Sequence, residues 1–269
     1  MAVSVCVAGV TGWTGSAVAR AVLASTDFTL VGAVARRSAG MDVGSALGRD
    51  PAGMQITADV SEALATECDV LIDYTHPRAV KANVETAIAK GVSCVIGTSG
   101  LTADDYAEID RRARDRGVGV IAAGNFSLTA ALAKRFAGIA ARHIPHWEII
   151  DYASGTKPDV PSGAAIELAE FLGDVANNEL LHPIDTMLGP KEARGATIGG
   201  TQVHSVRLPS FTLSFETVFG LPDERLSIRH DAGSGAEPYV NGTLLAAGRA
   251  ASTTGLVRGL DTLLFGGGP

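Results

Sequence analysis

The chain has 269 residues with 46% hydrophobic and 19% charged side chains and a formal net charge of −7, the balance of an ordinary soluble globular protein. That acidity argues against nucleic acid or an anionic membrane as the main partner. No apolar run reaches the roughly 18 residues that span a bilayer and no basic-then-apolar leader opens the chain, so a cytoplasmic setting is expected. Cys6, Cys68 and Cys94 sit in apolar contexts and are odd in number, which predicts reduced core thiols rather than disulfides or metal ligands.

In chain order, a β-branched run from Val3 leads into Gly9-Val10-Thr11-Gly12-Trp13-Thr14-Gly15 and then an alanine-rich amphipathic helix. This is the strand-turn-helix that opens a dinucleotide-binding domain. Gly9 suits the tight turn, Gly12 the approach of a pyrophosphate, and Gly15 close helix packing, while the first helical N–H groups face phosphate. A glycine-rich turn that binds nothing is the alternative reading. The second strand, Thr29 to Ala35, ends in Arg36-Arg37 where an NAD-selective fold carries an acid. Forked guanidinium contacts suit a 2′-phosphate, so NADPH is favoured with NADH possible; a solvated arginine pair is the alternative.

Residues 38–55 read as a surface loop. A short helix from Asp59 to Ala65 precedes a strand from Asp69 to Tyr74, followed by a helix (Arg78 to Lys90), a strand (Val92 to Ile96), a helix (Ala103 to Arg116) and a strand (Val118 to Ala122). Strands alternating with helices at this interval predict a parallel, doubly wound sheet with ligands beyond its C-terminal strand ends, where Thr75, Thr98 and Asn125 fall. Beyond a helix from Leu128 to His143, the strand Glu148 to Tyr152 leads through a loop to Ser162 and a helix reaching about Leu172. Thr201 to Arg207, Thr212 to Phe219 and Arg225 to Asp231 then alternate apolar with polar residues, as open-sheet strands do. An alanine-rich helix from Tyr239 to Thr253 and an apolar run from Leu260 to Phe265 close the chain. The expected fold is α/β: a Rossmann-type parallel sheet domain (1–126 and 240–269) and a smaller α+β domain with an open mixed sheet (127–239) for substrate binding and oligomerisation.

Gly97-Thr98-Ser99-Gly100, Gly124-Asn125-Phe126-Ser127, Lys157-Pro-Asp-Val-Pro-Ser162-Gly163, His204-Ser-Val-Arg-Leu-Pro209 and Leu226-Ser-Ile-Arg-His230 follow the glycine loop in order. With that loop they make six motifs by which the chain resembles the dihydrodipicolinate (4-hydroxy-tetrahydrodipicolinate) reductase family over its whole length. The resemblance implies a homotetramer joined through the central sheet, with the terminal helix and strand returning to the nucleotide domain. It also implies cofactor contacts from Gly9, Val10, Thr11, Gly12, Trp13, Thr14, Arg36, Gly97, Thr98, Ser99, Ala123, Gly124, Asn125 and Phe126; Arg37 joins them through the arginine pair. Trp13 either shapes the cofactor's approach or packs at the helix start.

The departures matter as much. The family pattern has two histidines, an acid and a substrate contact, four and three residues before the motif lysine; here Ala153 and Ser154 stand there. Its carboxylate-binding threonine is Ala164. Reduction of a C=C or C=N bond conjugated to a ring nitrogen needs a proton beside the hydride, and a positioned acid contributes about 10²- to 10⁴-fold. Lys157 is the candidate acid or carboxylate holder, with a surface lysine as the alternative. Tyr152 is a candidate replacement acid or a packing residue. Ser162, Gly163 and Ala164 open a helix whose N–H groups could take an anion, with a plain N-cap as the alternative for Ser162, and Ser154 completes the expected substrate set. Each missing donor would leave a buried dicarboxylate underpaired by roughly 1–3 kcal/mol. The reading that follows is an NAD(P)H-dependent reductase of a cyclic imine or enamine differing from the lysine-pathway intermediate. The alternatives are the true lysine-pathway reductase and an inactive NADPH-binding homologue. No metal site is expected, since Pro145 separates His143 from His146; His204 and His230 read as core or interface residues, and His76 as a candidate cofactor contact. Gly233-Ser-Gly235 lacks the strand-to-helix elbow of a serine hydrolase.

Overall fold

The computed structural model describes residues 2–266, so Met1 and the last three residues of the expected terminal segment lie outside them. The chain divides into two units, one formed by Met1–Leu128 with Ala236–Gly266, the other centred on Thr129–Gly235.

The first unit begins with β1 (Val3–Ala8), α1 (Trp13–Leu23) and β2 (Phe28–Val34). The stretch after β2, expected as an irregular loop, instead holds a 3₁₀ turn at Arg36–Ser38 and a short helix, α2 (Val43–Ala46). The sequence pattern misses them because one carboxylate does the organising. Asp42 accepts from the N–H groups of Ser45 (3.0 Å), Ala52 (3.0 Å) and Gly53 (2.8 Å), and those bonds hold its carboxyl below the usual range. After α3 (Val60–Ala63), capped by Asp59, come β3 (Val70–Asp73), α4 (Val80–Ala89), β4 (Ser93–Ile96), α5 (Ala103–Arg116) and β5 (Gly119–Ala122). The Thr102–Asp105 capping box fixes the start of α5 and Gly117, at φ +74°, its end.

The second unit contains α6 (Leu128–Ala141, beginning at the boundary), β6 (Trp147–Ala153), α7 (Gly163–Val175), β7 (Ala196–Ile198), β8 (Thr201–Arg207), β9 (Leu213–Leu221) and β10 (Glu224–Ala232). The chain then returns to the first unit as α8 (Glu237–Ala250), β11 (Gly255–Arg258) and α9 (Leu260–Phe265). Four residues ending in arginine carry no periodicity, so β11 is visible in the sequence only through the family resemblance. It pairs in parallel with β5, Leu256 opposite Val120.

Sheet order in the first unit is β11-β5-β4-β3-β1-β2, parallel throughout, so the order turns at β1 and β3, the ligand-binding switch point of such sheets. Its core strands are buried on both faces and read as unbroken apolar runs. Cys6, Cys68 and Cys94 are free and buried there; burial pushes the Cys68 thiol up to about 11 and the other two higher still, so all are inert thiols.

The second sheet, in order β10-β9-β6-β8-β7, is mixed: β6 runs parallel to β8 and antiparallel to β9. Along β6 burial alternates strictly. Trp147, Ile149, Asp151 and Ala153 face the core that α6 and α7 complete, while Glu148, Ile150 and Tyr152 take the opposite, open face.

Candidate active site

Gly9 lies at φ +83°, and a Cβ there would run into the Tyr74 carbonyl; a Cβ at Gly15 would strike the Gly9 carbonyl. The turn therefore needs both glycines for its close approach of β1, α1 and the end of β3. No side chain caps α1, and no acid stands in its first turn. Its N-terminal N–H groups thus open onto a cradle suited to an anion. Trp13, 53% exposed, rests edge-on against Tyr239 at 5.6 Å. Thr11 and Gly12 are exposed and Thr14 is partly covered, but the Val10 side chain is in the core. Arg36 and Arg37 are exposed just beyond β2, and neither guanidinium has a partner among the described residues. These residues fit a dinucleotide: a glycine cradle and a helix start for the pyrophosphate, and free cations at the strand end.

At the neighbouring strand ends, sequence reasoning missed the organiser. Asp73 is fully buried. Its Oδ1 accepts from the Thr98 hydroxyl (2.6 Å), the Thr75 hydroxyl (2.7 Å) and the Thr75 N–H (3.0 Å), and its Oδ2 from the Asn83 amide (2.8 Å). The signal was there: an aspartate closing an apolar strand has to be buried and therefore partnered. The Thr98 hydroxyl is consequently committed to the protein and is no free cofactor contact. Phe126 is 2% exposed and packs edge-on against Tyr74 at 6.3 Å, so its side chain lies in the core. Gly97 and Ser99 border this end, Ser99 exposed. Ala123 is buried and Gly124 exposed, and Asn125 folds its Oδ1 onto the Ser127 N–H at 2.8 Å. His76 is exposed, its Nδ1 accepting from the Arg78 N–H at 3.2 Å.

In the second unit the Lys157 loop runs between β6 and α7. Lys157 Nζ lies 2.7 Å from Asp159 Oδ1 with its side chain 32% exposed, and its N–H donates to the Ser154 carbonyl at 3.0 Å. The Ser154 hydroxyl meets that of Thr156 at 3.0 Å. Ser162 is the N-cap of α7, its Oγ accepting from the Ala165 N–H at 3.3 Å and donating to Asp151 Oδ1 at 2.7 Å. Its one proton is committed to Asp151, so this hydroxyl has none to donate to a substrate carboxylate. The leading N–H groups of α7, at Gly163 and Ala164, are left without intrahelical acceptors. Tyr152 is corrected as well. It projects from the face of β6 opposite Asp151 and Ala153, donates to Glu216 Oε2 at 3.2 Å and lies under the Arg229 guanidinium at 4.8 Å. Burial and the Glu216 carboxylate raise its pKa, the wrong direction for an acid at neutral pH. His204 Nε2 is 2.7 Å from Glu148 Oε2, on that same open face. His230 is buried, stacked on Phe215 at 5.4 Å. Among the described residues no three histidine, cysteine, aspartate or glutamate side chains are grouped to hold a metal, and no helix is long and apolar enough to cross a membrane.

A Rossmann-type unit with an anion cradle, joined in one chain to a mixed-sheet unit carrying a lysine loop before a helix start, defines a two-domain NAD(P)H-dependent reductase. Family models agree on which one: dihydrodipicolinate reductase, N-terminus, matches residues 3–126, and dihydrodipicolinate reductase, C-terminus, matches residues 126–264. The chain belongs to the dihydrodipicolinate reductase family. It is 40% identical to the 4-hydroxy-tetrahydrodipicolinate reductase of Moorella thermoacetica over 263 residues, covering 97% of this chain and 98% of that one. Against the enzyme of the same name from Desulfitobacterium hafniense the identity is 38%, with the same coverage. Among solved structures, the dipicolinate-bound dihydrodipicolinate reductase from Paenisporosarcina sp. TG-14 superposes with a TM-score of 0.79 at 27% identity, covering 98% of this chain and 100% of that one. An amine dehydrogenase from Mycobacterium smegmatis, at TM-score 0.69 and 16% identity over 96% of this chain and 95% of that one, shares the fold.

Proposed function

We propose that the chain reduces 4-hydroxy-tetrahydrodipicolinate in the lysine and diaminopimelate route, using NADPH in preference to NADH. The observation that carries this reading is identity of 38–40% to reductases of that name along essentially their whole length. It outweighs the expectation of a different cyclic imine drawn from Ala153, Ser154 and Ala164. Lys157 and the Ser162-Gly163 turn before α7 stand where the resemblance puts them.

Gly9, Gly12 and the first N–H groups of α1 hold the dinucleotide's pyrophosphate, and Arg36 and Arg37 hold its 2′-phosphate. The bound nicotinamide supplies the hydride. Lys157 pairs with one substrate carboxylate, exchanging Asp159 for it, and the N–H groups of Gly163 and Ala164 take the other at the positive end of α7. With alanine and serine in place of imidazoles, the Lys157 ammonium or a water it orients delivers the proton. A homotetramer assembled through the open face of the second sheet completes the proposal; Ile150 and Val218 on that face support it.

Purified protein mixed with freshly generated 4-hydroxy-tetrahydrodipicolinate should oxidise NADPH at a rate on the order of 10 s⁻¹, and NADH less efficiently. Oxidation by a monocarboxylate cyclic imine but not by this substrate would instead favour the reading that the three substitutions first suggested.

A further inference from the structure

Asp151 is fully buried and collects donors from three residues on two elements. The Ser162 N–H donates to Oδ2 at 2.9 Å and the Ser162 hydroxyl to Oδ1 at 2.7 Å. From β8, the Ser205 hydroxyl reaches Oδ2 at 3.1 Å and Arg207 Nη2 at 2.8 Å. The same Nη2 donates to the Asp159 carbonyl at 2.8 Å, inside the Lys157 loop. One buried ion pair therefore grips that loop at Asp159 and the first turn of α7 at Ser162. The other margin of the loop is tied by backbone bonds, Gly155 N–H to the Leu208 carbonyl at 3.2 Å and Leu208 N–H to the Ala153 carbonyl at 3.1 Å.

A buried ion pair gains little stability over apolar packing of similar volume, because desolvation offsets its attraction. What it does impose is direction, since four donors converge on two oxygens in fixed geometry. Here the directed parts are those that carry the ammonium of Lys157 and the N–H groups of Gly163 and Ala164. Ala153 and Ala164 offer no polar side chain beside these groups, so more of the anion binding falls on groups whose aim the ion pair sets.

We propose that Asp151 and Arg207 are positioning residues: the pair holds the Lys157 loop and the start of α7 in the register that binds the substrate's carboxylates. The role rests on the reductase reading above, and it acts on substrate binding rather than on the nucleotide.

Three variants test it. Asp151→Asn keeps an acceptor for Ser162 but removes the charge facing Arg207, Arg207→Gln releases the Asp159 carbonyl, and Arg207→Lys keeps the charge without the planar guanidinium. Amide hydrogen exchange of residues 155–164 needs no ligand and should quicken in Asp151→Asn and Arg207→Gln, with exchange in α6 unchanged. The KM for 4-hydroxy-tetrahydrodipicolinate and the Kd of pyridine-2,6-dicarboxylate should both rise about ten- to a hundredfold, the scale of a misplaced binding group. The NADPH Kd should stay at the parent value, kcat should fall as well because the same loop carries the proton-delivering Lys157, and Arg207→Lys should recover part of the loss. Parental exchange rates in residues 155–164, or an NADPH Kd that rises in step with the dicarboxylate Kd, would overturn the proposal. A parent protein that neither binds the dicarboxylate nor turns over would sink the reductase reading instead, and the exchange rates would still decide whether the pair holds the loop.

Discussion

Lys157 is the cation on which the substrate reading turns, because its one ion-pair partner among the described residues is an aspartate two positions away whose side chain is 46% exposed. Such an exposed pair is worth little, so exchanging it for a substrate carboxylate costs little. Lys157→Met should lower kcat/KM by about a hundredfold or more, since it removes both the carboxylate's partner and the group that delivers the proton, while leaving the NADPH Kd unchanged; kinetics beside a nucleotide titration separates the two. Arg36 and Arg37 give the complementary result. Replacing both with alanine should raise the KM for NADPH by about tenfold and leave that for NADH near its parent value, and equal changes for both would remove the arginines from the site. As candidates these residues are legible in the sequence, because charge and position at a strand end or helix start suffice to propose them. What Ser162, Thr98 and Tyr152 are bonded to is not. Their hydroxyls belong to Asp151, Asp73 and Glu216 respectively, and such partners lie too far along the chain for spacing to reveal.

Among the elements, the βα turn at Gly9 was the most legible. Its glycines answer a steric demand that the fold makes concrete, with φ at +83° and the Tyr74 carbonyl where a side chain would begin. Gly9→Ala should cost on the order of 1–3 kcal/mol in denaturant unfolding and weaken NADPH along with stability, whereas alanine at Gly53, with φ +74° but open space around it, should cost less and spare the cofactor. The parallel strands of the first unit declared themselves as apolar runs and those of the second by alternation, because one sheet is covered on both faces and the other on one. What stayed hidden was held together by single side chains or by pairing alone. Asp42 builds the α2 region from backbone donors up to eleven residues away, and β11 exists through its ladder with β5. A hydrophobic pattern records burial, not partners.

For the whole molecule, the titrating groups sort by unit, and this predicts that acid unfolds the two units in different ranges. His230, in the second unit, is stacked on Phe215, and burial lowers its pKa from 6.5, opposed by Asp231. The unfolded chain takes up a proton near 6.5 that the folded histidine refuses, so this contribution is complete above that pH and is lost as pH falls through the folded value. In the first unit the leading shifts are of the opposite chemical type. The Lys81 bond pulls Asp105 down to about 2, and the Arg111 and Arg112 bonds bring Glu108 to about 2. A carboxylate with a depressed pKa contributes fully above its unfolded value and loses that contribution only as pH falls toward 2, and these exposed pairs are also weakened by salt. Lowering pH from 7.5 to 5.5 should thus reduce the melting temperature of the second unit and leave the first nearly untouched. The probes are already in place: Trp147 of the second unit is 3% exposed and Trp13 of the first 53%, so the change in tryptophan emission on heating reports chiefly on the second. At pH 5.5 its midpoint should precede the loss of helical circular dichroism. His230→Phe, which keeps the stack without the titration, should bring the two back together, and midpoints that coincide at both pH values in the parent protein would show that His230 does not set this sensitivity.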